Sequence, residues 1–435
     1  MLINFSVGNF RSFKKTVTFS MVAAKITAKN KELDVDNVFQ AGNLALLKSA
    51  SIYGANASGK SNFIKAFSFM KNFVLRSTRT TSKDSIDVDP FLLSTETENT
   101  PSFFEVILFL DNVRYRYGFE VDQHHVCSEW LYRTVKRPTE LFWREGDQIV
   151  LKAGFKEGKG LEERTRPNAL FLSVADQWNG DIAGQIVGWF NKVNVISGLE
   201  DTAYLGFTVD QIVEDAPVGH KVTEFIKRID LGISDVAAEK RKVEPNFLSV
   251  LQQAEDIPEE VKNAMSGGDW FTPVVKTTHK FYNEAKENIG WVQFDLNEQE
   301  SEGTKKAFSL SGPILHTLQE GLVLFVDELD ARMHPLMTRY IIELFNSNYT
   351  NPKNAQLIFV THDTNLLDNK LFRRDQIWFT EKDRYGATDL YSLVEYKIPS
   401  PVRYDASFES DYIAGKYGAI PYIGNVKRLI GEANE

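Results

Sequence analysis

The segment Gly54-Ala55-Asn56-Ala57-Ser58-Gly59-Lys60-Ser61 constrains this chain more than any other, because it fits G-x-x-x-x-G-K-[ST] at every defined position. The pattern demands a buried strand, a tight glycine turn and a helix, in that order. Ala50-Ser51-Ile52-Tyr53 reads as the end of the strand, and Asn62 to Met70 carries apolar residues at helical spacing. Glycines allow the loop to turn its backbone N–H groups inward, and the helix N-terminus adds its positive dipole end, so the two together cradle phosphate oxygens. Gly54, Asn56, Ala57, Ser58, Gly59, Lys60, Ser61 and Asn62 are therefore the expected nucleotide contacts. Lys60 is expected to reach the β- and γ-phosphates and Ser61 to ligate Mg²⁺, which makes ATP and Mg²⁺ the expected cofactors.

A second half of such a site is written near the other end of the chain. Residues 321–328, Gly-Leu-Val-Leu-Phe-Val-Asp-Glu, are too short and too apolar for a surface helix and predict a central parallel strand. Ligands bind at the carboxyl ends of such strands, which puts Asp327 in place as a second magnesium ligand and Glu328 as general base toward the attacking water. Taken alone, Asp-Glu after a strand also reads as a solvated helix start. A third apolar run, Gln356 to Val360, ends in Thr361-His362-Asp363, and His362 is expected to meet the γ-phosphate. It follows Glu328 by 34 residues (362 − 328), the length of one strand–helix–strand crossover, with a helix predicted over 335–347 and Pro335 in its first turn.

Composition bounds the rest. The 435 residues exceed one typical core, and 43% hydrophobic with 25% charged content is ordinary for a globular chain. No apolar run approaches the ~20 residues that span a bilayer, and Met1-Leu2-Ile3-Asn4-Phe5 lacks the start of a secretion signal, so a cytoplasmic home is expected. A single cysteine, Cys127, excludes an intramolecular disulfide and a cysteine-rich metal site. The net charge of −9 does not advertise nucleic-acid binding by the surface as a whole, and the short basic runs at 240–242, 305–306 and 373–374 read as solvated faces. His124-His125 with Glu120 and Asp122 lack the ligand spacing of a known metal site and read as a surface strand end.

Strands are expected at 2–7, 16–21, 103–110 and 113–121, the last two joined through Asp111-Asn112, with more at 127–133 and 140–143. Together they predict an antiparallel sheet beside the nucleotide-binding one. Helical periodicity marks 183–195, 219–229 and 258–265, with an exit at 266–269 and strands returning at 271–281 and 289–296. The expected organisation is residues 1–154 and 269–435 as two halves of one α/β head with an antiparallel β subdomain, and 155–268 as a mainly helical insertion. No sustained heptads argue for a coiled-coil arm. The aromatic and Gly-rich tail, 404–424, reads as packed against the core.

Lys60 and Asp327 lie 267 residues apart (327 − 60). An insertion this large between two halves of the sheet resembles the ABC-type P-loop ATPase heads of the recombination-repair group, which includes RecF-like, OLD-like and structural-maintenance proteins. Asn9-Phe10-Arg11-Ser12-Phe13 matches the "NFRSF" segment frequent in that group, and Ser301-Glu302-Gly303-Thr304 resembles the "SEGT" variant of its signature while departing from the transporter form LSGGQ. Glu328 to Pro335, Asn168 to Ser173 and Arg374 to Phe379 further resemble the prokaryotic AAA15/AAA21 ATPases, which include ATPase subunits of AbiL-type and PARIS-type abortive-infection systems.

The resemblance implies a composite site. Ser301 and Gly303 of one protomer would face the phosphate loop of another, so that ATP is sandwiched in a homodimer or in a larger ring of dimers. It implies Asp330 as a coupling residue and leaves Gln123 a glutamine-loop candidate by order only. It also implies a regulatory role in anti-phage defence over a separate effector, such as a toprim-like or RloB-like nuclease, triggered by a phage product or DNA, without membrane involvement. Two other functions stay open at this point: a RecF/OLD-like DNA-repair ATPase acting directly on DNA, and a nucleotide-gated scaffold in which turnover is incidental.

Overall fold

The computed structural model describes residues 1–199, 204–214, 216–229, 232–243, 270–396 and 407–421. The helix expected at 258–265 and its exit at 266–269 lie outside them. The chain divides into two compact units, one of residues 1–197, 321–330 and 339–435, the other of 198–320 and 331–338.

The first unit is built on a six-stranded sheet in the order Asn194–Ser197, Val323–Asp327, Gln356–Val360, Ser49–Tyr53, Ile377–Lys382, Thr388–Ser392. The first five strands run parallel and the last is antiparallel. Ser49–Tyr53 and Gln356–Val360 are buried along their whole length, as expected of parallel strands covered on both faces. Their register pairs Val360 with Ile52 and Phe359 with Val326, so the polar residues that follow each strand emerge at one edge.

An antiparallel sheet of seven strands belongs to the same unit, in the order Gln148–Leu151, Pro138–Glu145, Val126–Thr134, Val113–Val121, Ser102–Leu110, Leu2–Gly8, Val17–Ser20. The helix Lys60–Arg76 bridges the two sheets. It buries Phe63, Ile64, Ala66, Phe67, Met70 and Val74, one stripe at helical spacing. Phe67 stacks on Phe325 of the parallel sheet at 4.1 Å between ring centroids and meets Phe5 of the antiparallel sheet edge-on at 5.1 Å. Such aromatic contacts fix the helix against both sheets at once.

Periodicity over 183–195 predicts one helix, yet the helix ends at Lys192 and Asn194–Ser197 becomes the edge strand of the parallel sheet. Because that strand pairs with Val323–Asp327, the chain leaves the first unit only after Ser197. Position 154, where the head was expected to give way to an insertion, falls inside this unit. So does the short helix Phe171–Gln177, whose first amides, Phe171 and Leu172, donate to the buried Glu129 carboxylate at 2.7 and 3.0 Å. The described tail residues pack on the same unit: Tyr412 stacks on Phe379 at 5.4 Å, and Tyr391 donates to the Tyr417 carbonyl at 2.7 Å.

The second unit combines the helices Leu205–Val213, Pro217–Ile229 and Glu302–Glu320 with a three-stranded antiparallel sheet, Ile233–Lys242, Phe271–Tyr282, Asn288–Asp295. Pro313 lies within the long helix and cannot donate to the Ser309 carbonyl one turn back. The Thr208 hydroxyl of a neighbouring helix donates to that carbonyl instead, at 2.8 Å, which keeps the helix continuous without a buried orphan acceptor.

Candidate nucleotide site

The loop between Tyr53 and Lys60 holds its shape through backbone conformations that side chains disfavour. Gly54 has φ +156° and Gly59 φ +112°, and Ala57 sits in the left-handed region at φ +61°. The Ser58 amide donates across the turn to Ala55 O at 3.1 Å, and the Ser58 hydroxyl is bonded to Thr380 at 2.6 Å. Asn56 and Ala57 are exposed at the tip. Asn62 donates to the Ser12 hydroxyl at 2.8 Å, tying the loop's helix to the N-terminal turn.

Lys60 is only 5% exposed, and its ammonium donates to the carbonyls of Gly54 and Ala55 at 2.7 and 2.9 Å. Burial lowers its pKa to about 8 against the opposing pull of Asp327, Glu328 and Asp330. The Ser61 hydroxyl donates to Asp327 Oδ1 at 3.1 Å. Burial raises the Asp327 pKa; the Ser61 hydrogen bond opposes it, Glu328 adds to it, and Lys65 and Lys60 oppose it. Glu328, the next residue, has φ +55°, an uncommon conformation for a non-glycine residue and one that concentrates at functional positions. The turn after it is held by the Leu329 amide donating to Val360 O at 3.1 Å.

His362 keeps much of its surface in solvent, its amide donates to Asp330 Oδ2 at 3.3 Å, and partial desolvation of its ring followed by the charge of Lys60 lowers its pKa, with Asp330, Glu328 and Asp327 pulling the other way. Lys60, Ser61, Asp327, Glu328, Asp330 and His362 therefore share one electrostatic neighbourhood at the carboxyl edge of the parallel sheet.

Ser301 and Gly303 belong to the second unit. The helix that follows Ser301 begins at Glu302, with the Ser301 hydroxyl accepting from the Thr304 amide at 3.1 Å and the Ser301 carbonyl accepting from the Lys305 amide at 3.0 Å. A Cβ on Gly303 would lie 3.2 Å from Arg332 O, so the residue is held close to backbone. Gln123 lies in the turn between Val113–Val121 and Val126–Thr134, where its carbonyl accepts from the Ile86 amide at 2.8 Å. His124 and His125 form part of the same turn, and both their amides donate to Asp122 at 2.7 Å.

Sequence reasoning missed the residues that brace the loop from outside. The Thr388 hydroxyl donates to Ser58 O at 2.8 Å, its amide donates to Ser12 O at 2.7 Å, and the Thr380 and Ser58 hydroxyls share a hydrogen bond. Threonines are ordinary in strands, so nothing in their spacing pointed to a loop more than three hundred positions away. Lys65, one turn after Ser61, lies on the same helix face as that residue.

Residues 49–368 match the family model described as "AAA domain, putative AbiEii toxin, Type IV TA system". The chain belongs to that family. The match runs from the phosphate-loop strand past His362 and takes in every residue gathered at the sheet edge. An AAA-type nucleotide-binding domain and an ATPase of this class follow from it. No curated protein matches the sequence.

Among solved structures, the SMC head domain from Thermotoga maritima is similar at 13% identity and a TM-score of 0.39, covering 90% of this chain and 98% of that one. The recombination mediator protein RecF-ATPrS in the RecFOR pathway is similar at 14% identity and 0.33, covering 90% and 98%. The Smc head domain with a coiled coil and joint derived from Pyrococcus yayanosii is similar at 12% identity and 0.35, covering 90% and 96%. No helix among the described residues is long and apolar enough to cross a membrane.

Proposed function

We propose that this AAA-family chain binds ATP with Mg²⁺ and hydrolyses it, and that the nucleotide state regulates a separate toxic effector in anti-phage defence. The observation that carries the chemical half is the meeting of Ser61 and Asp327, whose oxygens lie 3.1 Å apart although the residues are 266 positions apart in sequence. Adjacent ligand oxygens of an octahedral Mg²⁺ with bonds of 2.0–2.1 Å lie about 3 Å apart, so the pair fits that ion. The ion would draw Asp327 back toward its ionised form. Lys60 would exchange its two loop carbonyls for phosphate oxygens. Glu328 would orient and deprotonate the attacking water, and His362 would hydrogen-bond the γ-phosphate from the neighbouring strand end.

Ser301 and Gly303, at the start of a 19-residue helix, would offer hydroxyl and amide donors to the γ-phosphate of a second protomer. ATP would then hold two copies together, and hydrolysis would release them. The regulatory half draws its support from the family's description, which names a putative toxin and a type IV toxin–antitoxin system. A distinct effector such as a toprim-like nuclease is consistent with the sequence, where no second catalytic constellation is evident.

The test is Glu328→Gln. Turnover should fall by roughly 10²-fold or more while ATP stays bound, and the variant should run as a dimer or larger ring with ATP. Turnover that survives this change removes Glu328 as the base. Lys60→Ala should abolish nucleotide binding, and retained ATP affinity would remove the phosphate-loop assignment. Co-purification with neighbouring gene products, with and without ATP, tests the effector.

A further inference from the structure

The segment that leads into Ser301 is fastened to the three-stranded sheet of the second unit by a compact polar cluster. Glu300, immediately before Ser301, places its carboxylate against two side chains of the strand Phe271–Tyr282. Its Oε1 lies 2.8 Å from His279 Nε2 and accepts a short hydrogen bond from the Thr277 hydroxyl. Thr277 is fully buried, and the side chains of His279 and Glu300 are 17% and 9% exposed. The His279 ring packs on Phe294 of the adjacent strand at 4.6 Å, which limits its rotation.

Threonine, histidine and glutamate together invite a comparison with a nucleophile triad, and the geometry excludes it. In a triad the base meets the nucleophile through one ring nitrogen and the orienting acid through the other. Here Thr277 Oγ1 and Glu300 Oε1 both lie on the Nε2 side of His279, at 3.1 and 2.8 Å. No proton can be relayed from the hydroxyl through the ring to the carboxylate. What the arrangement does provide is two donors converging on one carboxylate oxygen, a buried anchor on a segment whose backbone continues into a helix cap.

We infer that Thr277 and His279 are positioning residues. By holding Glu300 they set the direction in which Ser301 and the first amides of the helix Glu302–Glu320 point. The segment is clamped at its other end as well, where the Asp295 carboxylate accepts from the Asn297 amide at 2.8 Å and the Asp295 amide donates to the Gln299 side chain at 2.8 Å. With both ends held, the turn at 300–304 keeps little freedom of its own. The purpose assigned to this anchor rests on the composite-site reading, in which Ser301 and Gly303 serve a second protomer's nucleotide. The anchor itself does not rest on that reading.

The experiment uses the full chain in four forms: wild type, Glu300→Ala, Glu300→Gln and Ser301→Ala. Two readouts are taken from each, amide hydrogen exchange over 301–306 without nucleotide, and steady-state ATP turnover at a concentration where dimers form. In Glu300→Ala, exchange should quicken by about tenfold and kcat should fall roughly tenfold to a hundredfold, the scale of a misplaced catalytic contact, with KM for ATP held within about twofold because the phosphate loop belongs to the other unit. Glu300→Gln keeps an oxygen that accepts from both donors and should recover most of both losses. Unchanged exchange in Glu300→Ala overturns the anchor whatever happens to turnover, and so does a Glu300→Gln variant as impaired as the alanine. Quickened exchange with undiminished turnover, together with full turnover in Ser301→Ala, overturns the composite-site reading and the purpose given to the anchor.

Discussion

Replacing Gly59 by alanine probes the phosphate loop at its most confined point. Gly59 precedes the helix Lys60–Arg76 with φ +112°, and a Cβ there would lie 2.4 Å from Thr388 Oγ1, 2.7 Å from Thr388 Cγ2 and 2.9 Å from Ser12 Oγ. None of these atoms is free to retreat, because Thr388 Oγ1 is donating to Ser58 O and Ser12 Oγ is accepting from Asn62. Forcing a side chain into such a backbone conformation costs about 1–3 kcal/mol. Overpacking a filled site costs about 1–3 kcal/mol more. The sum, roughly 2–6 kcal/mol, is a large share of the 5–15 kcal/mol that holds a typical domain folded. Part of it should appear as lost stability and part as a loop that no longer presents its amides. Urea denaturation should register the first, and titration with a fluorescent ATP analogue the second. The double variant Gly59→Ala, Thr388→Ala removes the two closest atoms and should recover part of the packing share, leaving the contact with Ser12 Oγ and the backbone share. A Gly59→Ala protein within about 0.5 kcal/mol of wild type and with unchanged nucleotide affinity would refute the reasoning.

Further outcomes follow from the same geometry. Because Lys60 has its pKa lowered to about 8 in the ligand-free protein, phosphate binding should draw a proton onto it, so affinity for an ATP analogue should decline as pH rises through that value, measurable by calorimetry in buffers of different ionisation enthalpy. In the ligand-free protein the sign is opposite: between about 8 and the ordinary lysine value of 10.5 the unfolded chain holds more of this proton, so this one group makes stability rise with pH. Asp327→Asn should erase the Mg²⁺-dependent part of nucleotide affinity and leave binding in EDTA intact; equal Mg²⁺ dependence in the variant would remove Asp327 as a ligand. Thr208→Val should destabilise the second unit by about 1–3 kcal/mol in urea, because Ser309 O would be left buried without a donor beside Pro313, and a neutral result would mean that the carbonyl finds another partner.

The parts of the chain that could be read in advance were those whose local pattern and long-range role coincide. Val323–Asp327 and Gln356–Val360 are short apolar runs with polar ends, and a buried parallel strand is one of few structures that accepts them. The crossover helix Pro335–Asn346 and the second-unit strands Phe271–Tyr282 and Asn288–Asp295 fell close to their expected positions for similar reasons. Asn194–Ser197 could not be separated from the helix before it, since four residues carry too little periodicity to reveal an edge strand paired with residues well over a hundred positions later. The helix Glu302–Glu320 hides its true length behind Pro313, because the compensating donor comes from Thr208, on another helix. At the site, the loop itself was legible and its braces were not. Ser12, Thr380 and Thr388 act through single hydroxyls, and their partners are set by tertiary contact alone.

The position of Ser49–Tyr53 within its sheet has a consequence for how the chain is made. Its two hydrogen-bonded neighbours are Gln356–Val360 and Ile377–Lys382, so a strand translated near the start waits for partners that leave the ribosome some three hundred residues afterwards. For most of synthesis a strand that ends up buried along its whole length has both its edges open, which is the condition under which nascent chains pair wrongly or recruit chaperones. On the proposed reading, ATP could not rescue the process early, because Lys60 and Asp327 come together only when that sheet closes. Loss-of-function substitutions in this protein should therefore include many that lower soluble yield on expression while leaving the purified fraction fully competent.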